Sequence, residues 1–112
     1  MKTMKTMEAK TIKGGGVTSA EGFQAAGVAC GIKPRGEKDM TLIVSDVPAE
    51  AAATFTTNLV KAAPVKVSMR HLRNGKIRGV VINSGCANAC TGVGGIADAK
   101  AMIEHVAKEF KS

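Results

Sequence analysis

The stretch "KIRGVVINSGCANACTGVGGIADAKAMIEHVAKEF", residues 76–110, decides the fold. Its first eight residues alternate and then run apolar, which predicts a β-strand over 76–83. From Ile96 the period changes. Ile96, Ala99, Ile103, Val106 and Phe110 fall on one side of a helix, so the segment after the glycines reads as an amphipathic α-helix. Between them lies a turn rich in Asn, Ser and Gly with two cysteines, read as a loop over 83–95. Strand, small-residue loop, helix is the local unit from which the rest of the chain is read.

Working outward, "MTLIVSD" (40–46) predicts a buried strand, and "FQAAGVACGIK" (23–33) predicts a strand holding small residues. Gly27 and Gly31 inside it point to a bulge or to close approach of another backbone. "KPRGEKD" (33–39) reads as a polar turn and "VPAEA" (47–51) as a short turn. "AAATFTTN" (51–58) reads as a further strand with Phe55 as its large residue. "APVKVSMRHLRNGK" (63–76) fits helix and strand spacing alike. A helix from about Val65 is preferred because Asn74-Gly75 then stops it. Residues 1–16, ending in three glycines, read as a flexible arm, and 17–112 as one folded unit. The predicted class is α/β of the layered α+β type, with a mixed or largely antiparallel sheet. The connections between the first strands are too short for a parallel one.

Composition narrows the function. The chain has 112 residues, 45% of them hydrophobic, which excludes a disordered polymer and leaves room for one small domain. Aromatic residues are only 3%, so the core must be built from Ala, Val, Ile, Leu and Met. Such side chains bury little area each, at roughly 25 cal/mol per Å2. The domain is therefore expected to complete its core against further polypeptide. The net charge of +7 is carried by scattered lysines without interleaved aromatics, which argues against a nucleic-acid partner. No run approaches the ~20 apolar residues of a membrane span, and the N-terminus lacks an export signal. Three cysteines, an odd number, fit reduced thiols in the cytoplasm.

The candidate site is the loop itself: Asn83, Ser84, Gly85, Asn88, Cys90, Thr91 and Gly92. Glycines between a strand and a helix let backbone N–H groups converge, and a helix N-terminus adds partial positive charge, which suits an anion or oxyanion. The same residues also suit a tight turn in which Asn and Ser satisfy buried backbone groups. No Lys-Ser or Lys-Thr follows the glycines and no dinucleotide fingerprint is present. Cys86 and Cys90 lack zinc spacing and partners, and His71 and His105 stand alone, so no metal site is predicted. Ser45-Asp46 reads as the end of a strand before a Val-Pro turn. No catalytic set is predicted within this chain.

The stretches 15–33, 39–65 and 80–102 together resemble the N-terminal part of ornithine acetyltransferase, also called glutamate N-acetyltransferase, and the likeness runs from about Gly15 to Phe110. The resemblance implies an arginine-biosynthesis enzyme that transfers acetyl from N-acetylornithine to glutamate, with acetyl-CoA as co-substrate in some members and no tightly bound cofactor. It implies a precursor that cuts itself at a Thr, which becomes the N-terminal nucleophile of a β chain. That Thr, and the Thr-Gly pair that steadies the oxyanion, match no residue of this chain. Thr91-Gly92 closes the "NACTG" motif instead. The expected partners are thus the remainder of the α chain and the β chain, in a hetero-oligomer. Cys86 stands where the family pattern has Asn, which puts one turn hydrogen bond in doubt. The alternative expectation is a fold relative that binds a small molecule or protein without catalysis, and a weaker one is phosphate or nucleotide binding by the glycine loop.

Overall fold

Strand β1 (Phe23–Val28) pairs antiparallel with β2 (Met40–Glu50), and β2 pairs antiparallel with β3 (Lys76–Asn83). In this computed structural model, which describes residues 6–111, the strands form one sheet in the order β1-β2-β3. Two helices follow the same chain order: α1 (Ala63–His71) precedes β3, and α2 (Gly92–Glu109) follows it. The α+β class is as expected, and the sheet is wholly antiparallel.

The helices pack on each other. Ala63 and Val67 of α1 and Ala99 of α2 are buried together, with Ile96 and Ile103 against them. This is the stripe set by the period of α2, although Phe110 at its end is 40% exposed. The chain passes from α1 through a single 3-10 turn at Leu72–Asn74 and stops at Gly75, whose φ of 71° is the left-handed value that suits glycine.

Several boundaries differ from the expectation. β1 ends at Val28, because Cys30 to Asp39 form a loop whose backbone N–H groups turn to a carboxylate. α1 begins at Ala63, with Pro64 in its first turn, where a missing N–H costs nothing. α2 begins at Gly92 and takes in the glycines assigned to the loop. Residues 51–58 form no strand; of that segment, Ala51 N–H donates to Gly75 O at 2.8 Å, which anchors its start. Of the arm, residues 1–5 lie outside the described residues, and 6–16 are exposed.

The predicted turn at 47–51 is also replaced. β2 runs through Pro48, and the irregularity expected at Gly27 sits here instead. Val44 pairs with Gly79 and Ala49 with Ile77, so on the β3 side residues 45–48 stand opposite Arg78 alone. This long irregularity accommodates a proline, which has no N–H to give a ladder. The Arg78 guanidinium takes up the carbonyls that the bulge strands: Nε donates to Ser45 O at 3.1 Å and Nη2 to Asp46 O at 3.2 Å. The neighbouring Gly79 admits no side chain, since a Cβ there would lie 2.7 Å from Ile43 O. Gly79→Ala is therefore expected to cost about 1–3 kcal/mol by forcing the strands apart, read as a lower urea midpoint.

The result is an open structure. Among the described residues no large side chain is fully buried. The radius of gyration is 16.9 Å, against about 13 Å for a compact domain of this length.

Candidate functional site

The loop between β3 and α2 is organised by Asn88. Its backbone O accepts the first N–H of α1, from Ala63, at 3.2 Å. Its Nδ2 donates to Gly95 O at 2.8 Å, and its Oδ1 accepts the Thr91 hydroxyl. One residue thus ties the start of α1, through its backbone carbonyl, to the first turn of α2, through its side chain. Gly95 is buried because the Asn88 and Thr91 side chains occupy the space where its Cβ would stand. The chain turns left-handed at Gly85 (φ 96°), Cys90 (φ 56°) and Gly92 (φ 64°). Of these, only Cys90 holds that geometry against a Cβ clash.

Of the seven predicted residues, Asn88 is the hub just described and the other six separate into two groups. Cys90, Thr91 and Gly92 line a cavity of about 280 Å3, together with Lys61, Ala63, Lys66 and Ile96. Asn83, Ser84 and Gly85 do not line it. They face the loop after β1: Ser84 N–H donates to Asp39 O at 2.8 Å, and a Cβ on Gly85 would meet Lys33 Cγ at 2.9 Å. Asn83 Nδ2 closes the turn on Cys86 O at 3.3 Å. That bond uses the backbone of residue 86, so it survives the Cys found at this position. The two lysines at the cavity were missed in the sequence; the available signal was their place just before and just inside the "AAPV" helix start.

Asp39 was missed as well. It is buried, and its carboxylate accepts N–H bonds from Cys30 at 2.8 Å, Ile32 at 2.7 Å and Lys33 at 3.0 Å. Its own N–H donates to Val28 O at 3.0 Å. The Cys30 N–H and its neighbours hold this carboxyl well below the usual carboxylate range. The carboxylate in turn pushes the nearby Cys30 thiol up. The asparagine loop and the 29–38 loop are thereby clamped to one another through residue 39. The signal was an Asp directly before an apolar strand, after a Gly- and Pro-containing loop.

Chemically the arrangement positions backbone and offers two cationic side chains beside a helix N-terminus. The three cysteines are free and exposed. Among the described residues no cluster of three His, Cys, Asp or Glu is placed to hold a metal ion, and no helix is long and apolar enough to cross a membrane.

Comparison with known proteins places this geometry. The ArgJ family model matches residues 24–112. The arginine biosynthesis bifunctional protein ArgJ of Thermobifida fusca is 52% identical over 92 residues, which are 81% of this chain and 24% of that protein. The solved ArgJ structure from Bacillus halodurans superposes with a TM-score of 0.85 at 46% identity, over 89% of this chain and 52% of that one. The ornithine acetyltransferase of Mycobacterium tuberculosis, solved in complex with ornithine, gives 0.83 at 48% identity with the same coverage of both. The chain spans about a quarter of the curated relatives it matches and about half of the solved chains.

Proposed function

The chain belongs to the ArgJ family, and from that premise we propose that it is the N-terminal α-chain portion of an enzyme that transfers acetyl from N-acetylornithine to glutamate. The observation that carries the reading is the 48% identity and common fold with an acetyltransferase solved with ornithine. Acetyl-CoA serves as a second acetyl donor, and the working compartment is the cytoplasm.

The reaction runs by covalent catalysis. The hydroxyl of an N-terminal Thr on a β chain forms a bond to the acetyl carbonyl carbon. The C–N bond of N-acetylornithine then breaks, and the ornithine amine leaves with a proton. The glutamate amine attacks the acetyl-enzyme, the C–O bond breaks, and the Thr hydroxyl is restored. A Thr-Gly pair outside this chain steadies the oxyanion. A length relation supports processing into two chains: the match fills 24% of the curated relative but 52% of each solved chain, so the solved chains are about half as long.

The role of this chain is then positional. Asn83, Ser84, Gly85, Asn88, Cys90, Thr91 and Gly92 shape the backbone beside the active centre and perform no bond-making. The expected result is that the purified 112-residue chain forms no N-acetylglutamate from N-acetylornithine and glutamate. The same chain, reconstituted with the remainder of a family α chain and its β chain, does. Chromatographic detection of N-acetylglutamate made by the chain alone would refute the reading.

A further inference from the structure

The fold gathers charge that is scattered along the sequence. No Asp or Glu occurs from Ala51 to Ala97, while Lys61, Lys66, Arg70, Arg73, Lys76 and Arg78 all fall there. Two of these cations are engaged. Lys76 pairs with Glu50 at 3.3 Å, the one ion pair among the described residues, and Arg78 holds the carbonyls of Ser45 and Asp46. The other four belong to α1, the residues leading into it and the 3-10 turn that follows it. Lys61 and Lys66 line the cavity of about 280 Å3 at the starts of α1 and α2, and no carboxylate lines it. From there Lys66, Arg70 and Arg73, all exposed, follow at steps of four and three, so they run along one side of the helix for about 10 Å.

Arg70 and Arg73 sit toward the C-terminal end of α1, where cations complement the helix dipole. Lys61 and Lys66 do the opposite. They stand at two helix N-termini, where the partial charge is already positive. Neither first turn holds an acidic residue, and no side chain caps either start. The cavity is thus a concentration of positive charge that no neighbouring carboxylate offsets, and an anion seated there relieves it. We propose that this cavity and the ridge along α1 bind a small molecule that carries a diphosphate. A single carboxylate would meet only one end of a ridge about 10 Å long. A nucleic acid is the poorer occupant, because no aromatic side chain lines the cavity for a base to stack on. An acidic protein face is poorer too, because the lysines stand at a concave site near the lower end of small-ligand cavities, about 300–1,000 Å3. N-acetylornithine and glutamate carry no phosphate, so the site lies beyond the amino-acid substrates of the acetyltransferase reading. Acetyl-CoA is the one substrate of that reading with the same chemistry.

The test is titration calorimetry of the 112-residue chain with pyrophosphate, with no acetyl donor present. The expected result is one saturable site per chain. Lys61→Gln combined with Lys66→Gln weakens it at least about tenfold, and Lys66→Arg retains it. Lys108→Gln, which removes one charge from the exposed far end of α2, leaves it intact. Pyrophosphate should also raise the Tm of the unaltered chain and not that of the double variant. ADP and coenzyme A, titrated in competition, distinguish a nucleotide from an acyl carrier as the source of the diphosphate, and displacement by either supports the site. Absence of saturable binding overturns the proposal. So does an affinity or a Tm rise that the double variant shares, or one that Lys108→Gln reduces equally. Polyglutamate that displaces pyrophosphate at a lower concentration than ADP and coenzyme A would assign the ridge to an acidic protein and overturn it as well. Acetyl transfer from N-acetylornithine to glutamate involves no phosphate and is assayed separately on the reconstituted enzyme, so each reading fails on its own measurement.

Discussion

Gly95→Ala is expected to destabilise the chain by about 2–4 kcal/mol, through overpacking and lost hydrogen bonds. The sign is opposite to that of most glycine-to-alanine changes within a helix, where alanine gains up to about 1 kcal/mol. The reason is local. A Cβ at position 95 would lie 2.6 Å from Thr91 Cβ and run into the Thr91 hydroxyl and Asn88 Oδ1. To make room, the Asn88 side chain must release the Gly95 carbonyl or the Thr91 hydroxyl, or the Asn88 backbone must shift and loosen its hold on the α1 N-terminus. Gly94 is the internal control. It sits one residue earlier in the same helix with open space about its Cβ position. Gly94→Ala is therefore expected to be neutral or stabilising by up to about 1 kcal/mol. Urea denaturation of the two variants side by side reads the difference. Equal midpoints would mean that the Asn88 hub does not constrain the first turn of α2.

Asp39→Asn is expected to unlatch the loop from Cys30 to Lys38 and to change how the chain responds to acid. Three N–H groups converge on the carboxylate, and a neutral amide can accept with one oxygen only. Hydrogen exchange at the amides of Cys30, Ile32 and Lys33 should quicken at least about tenfold. The pH dependence has a definite sign. The folded carboxyl titrates below its unfolded value of about 3.9. Its contribution is thus complete above that value and is lost as pH falls from about 4 toward the folded pKa. Unaltered protein should lose stability across that acid range, and the Asn variant should lack that component. An Asn variant that unfolds in acid just as the unaltered chain does would show that the cradle contributes nothing. Ser84 bonds to the Asp39 carbonyl, so loosening this corner should also be felt at the asparagine loop.

The strongly periodic parts of the sequence were legible. The strand at 76–83 and the apolar stripe from Ile96 to Ile103 are where pattern alone puts them, because one buried face imposes one period. The stop at Asn74-Gly75 was legible from the left-handed geometry that glycine permits. What misled was context supplied from a distance. Pro48 reads as a turn, yet it lies inside β2, because Arg78 from another strand satisfies the carbonyls of the bulge. Residues 51–58 have the composition of a strand but pair with no strand among the described residues. The glycines at 92–95 read as loop, but the Asn88 side chain, set by tertiary contact, draws them into a helix. Of the candidate site, the short polar residues were legible as loop builders. Asp39 and the two lysines were not, because the fold brings them to the loop from positions far along the chain.

The proposed reading makes one claim: residues 1–112 position an acetyl transfer whose nucleophile is a Thr that none of them supplies. Intact-mass analysis tests it most directly. The chain is reconstituted with the remainder of a family α chain and its β chain, incubated with N-acetylornithine without glutamate, and each polypeptide is weighed. The account predicts one added acetyl group on the polypeptide that begins with Thr and none on these 112 residues. An acetyl adduct on this chain, discharged when glutamate is added, would contradict it.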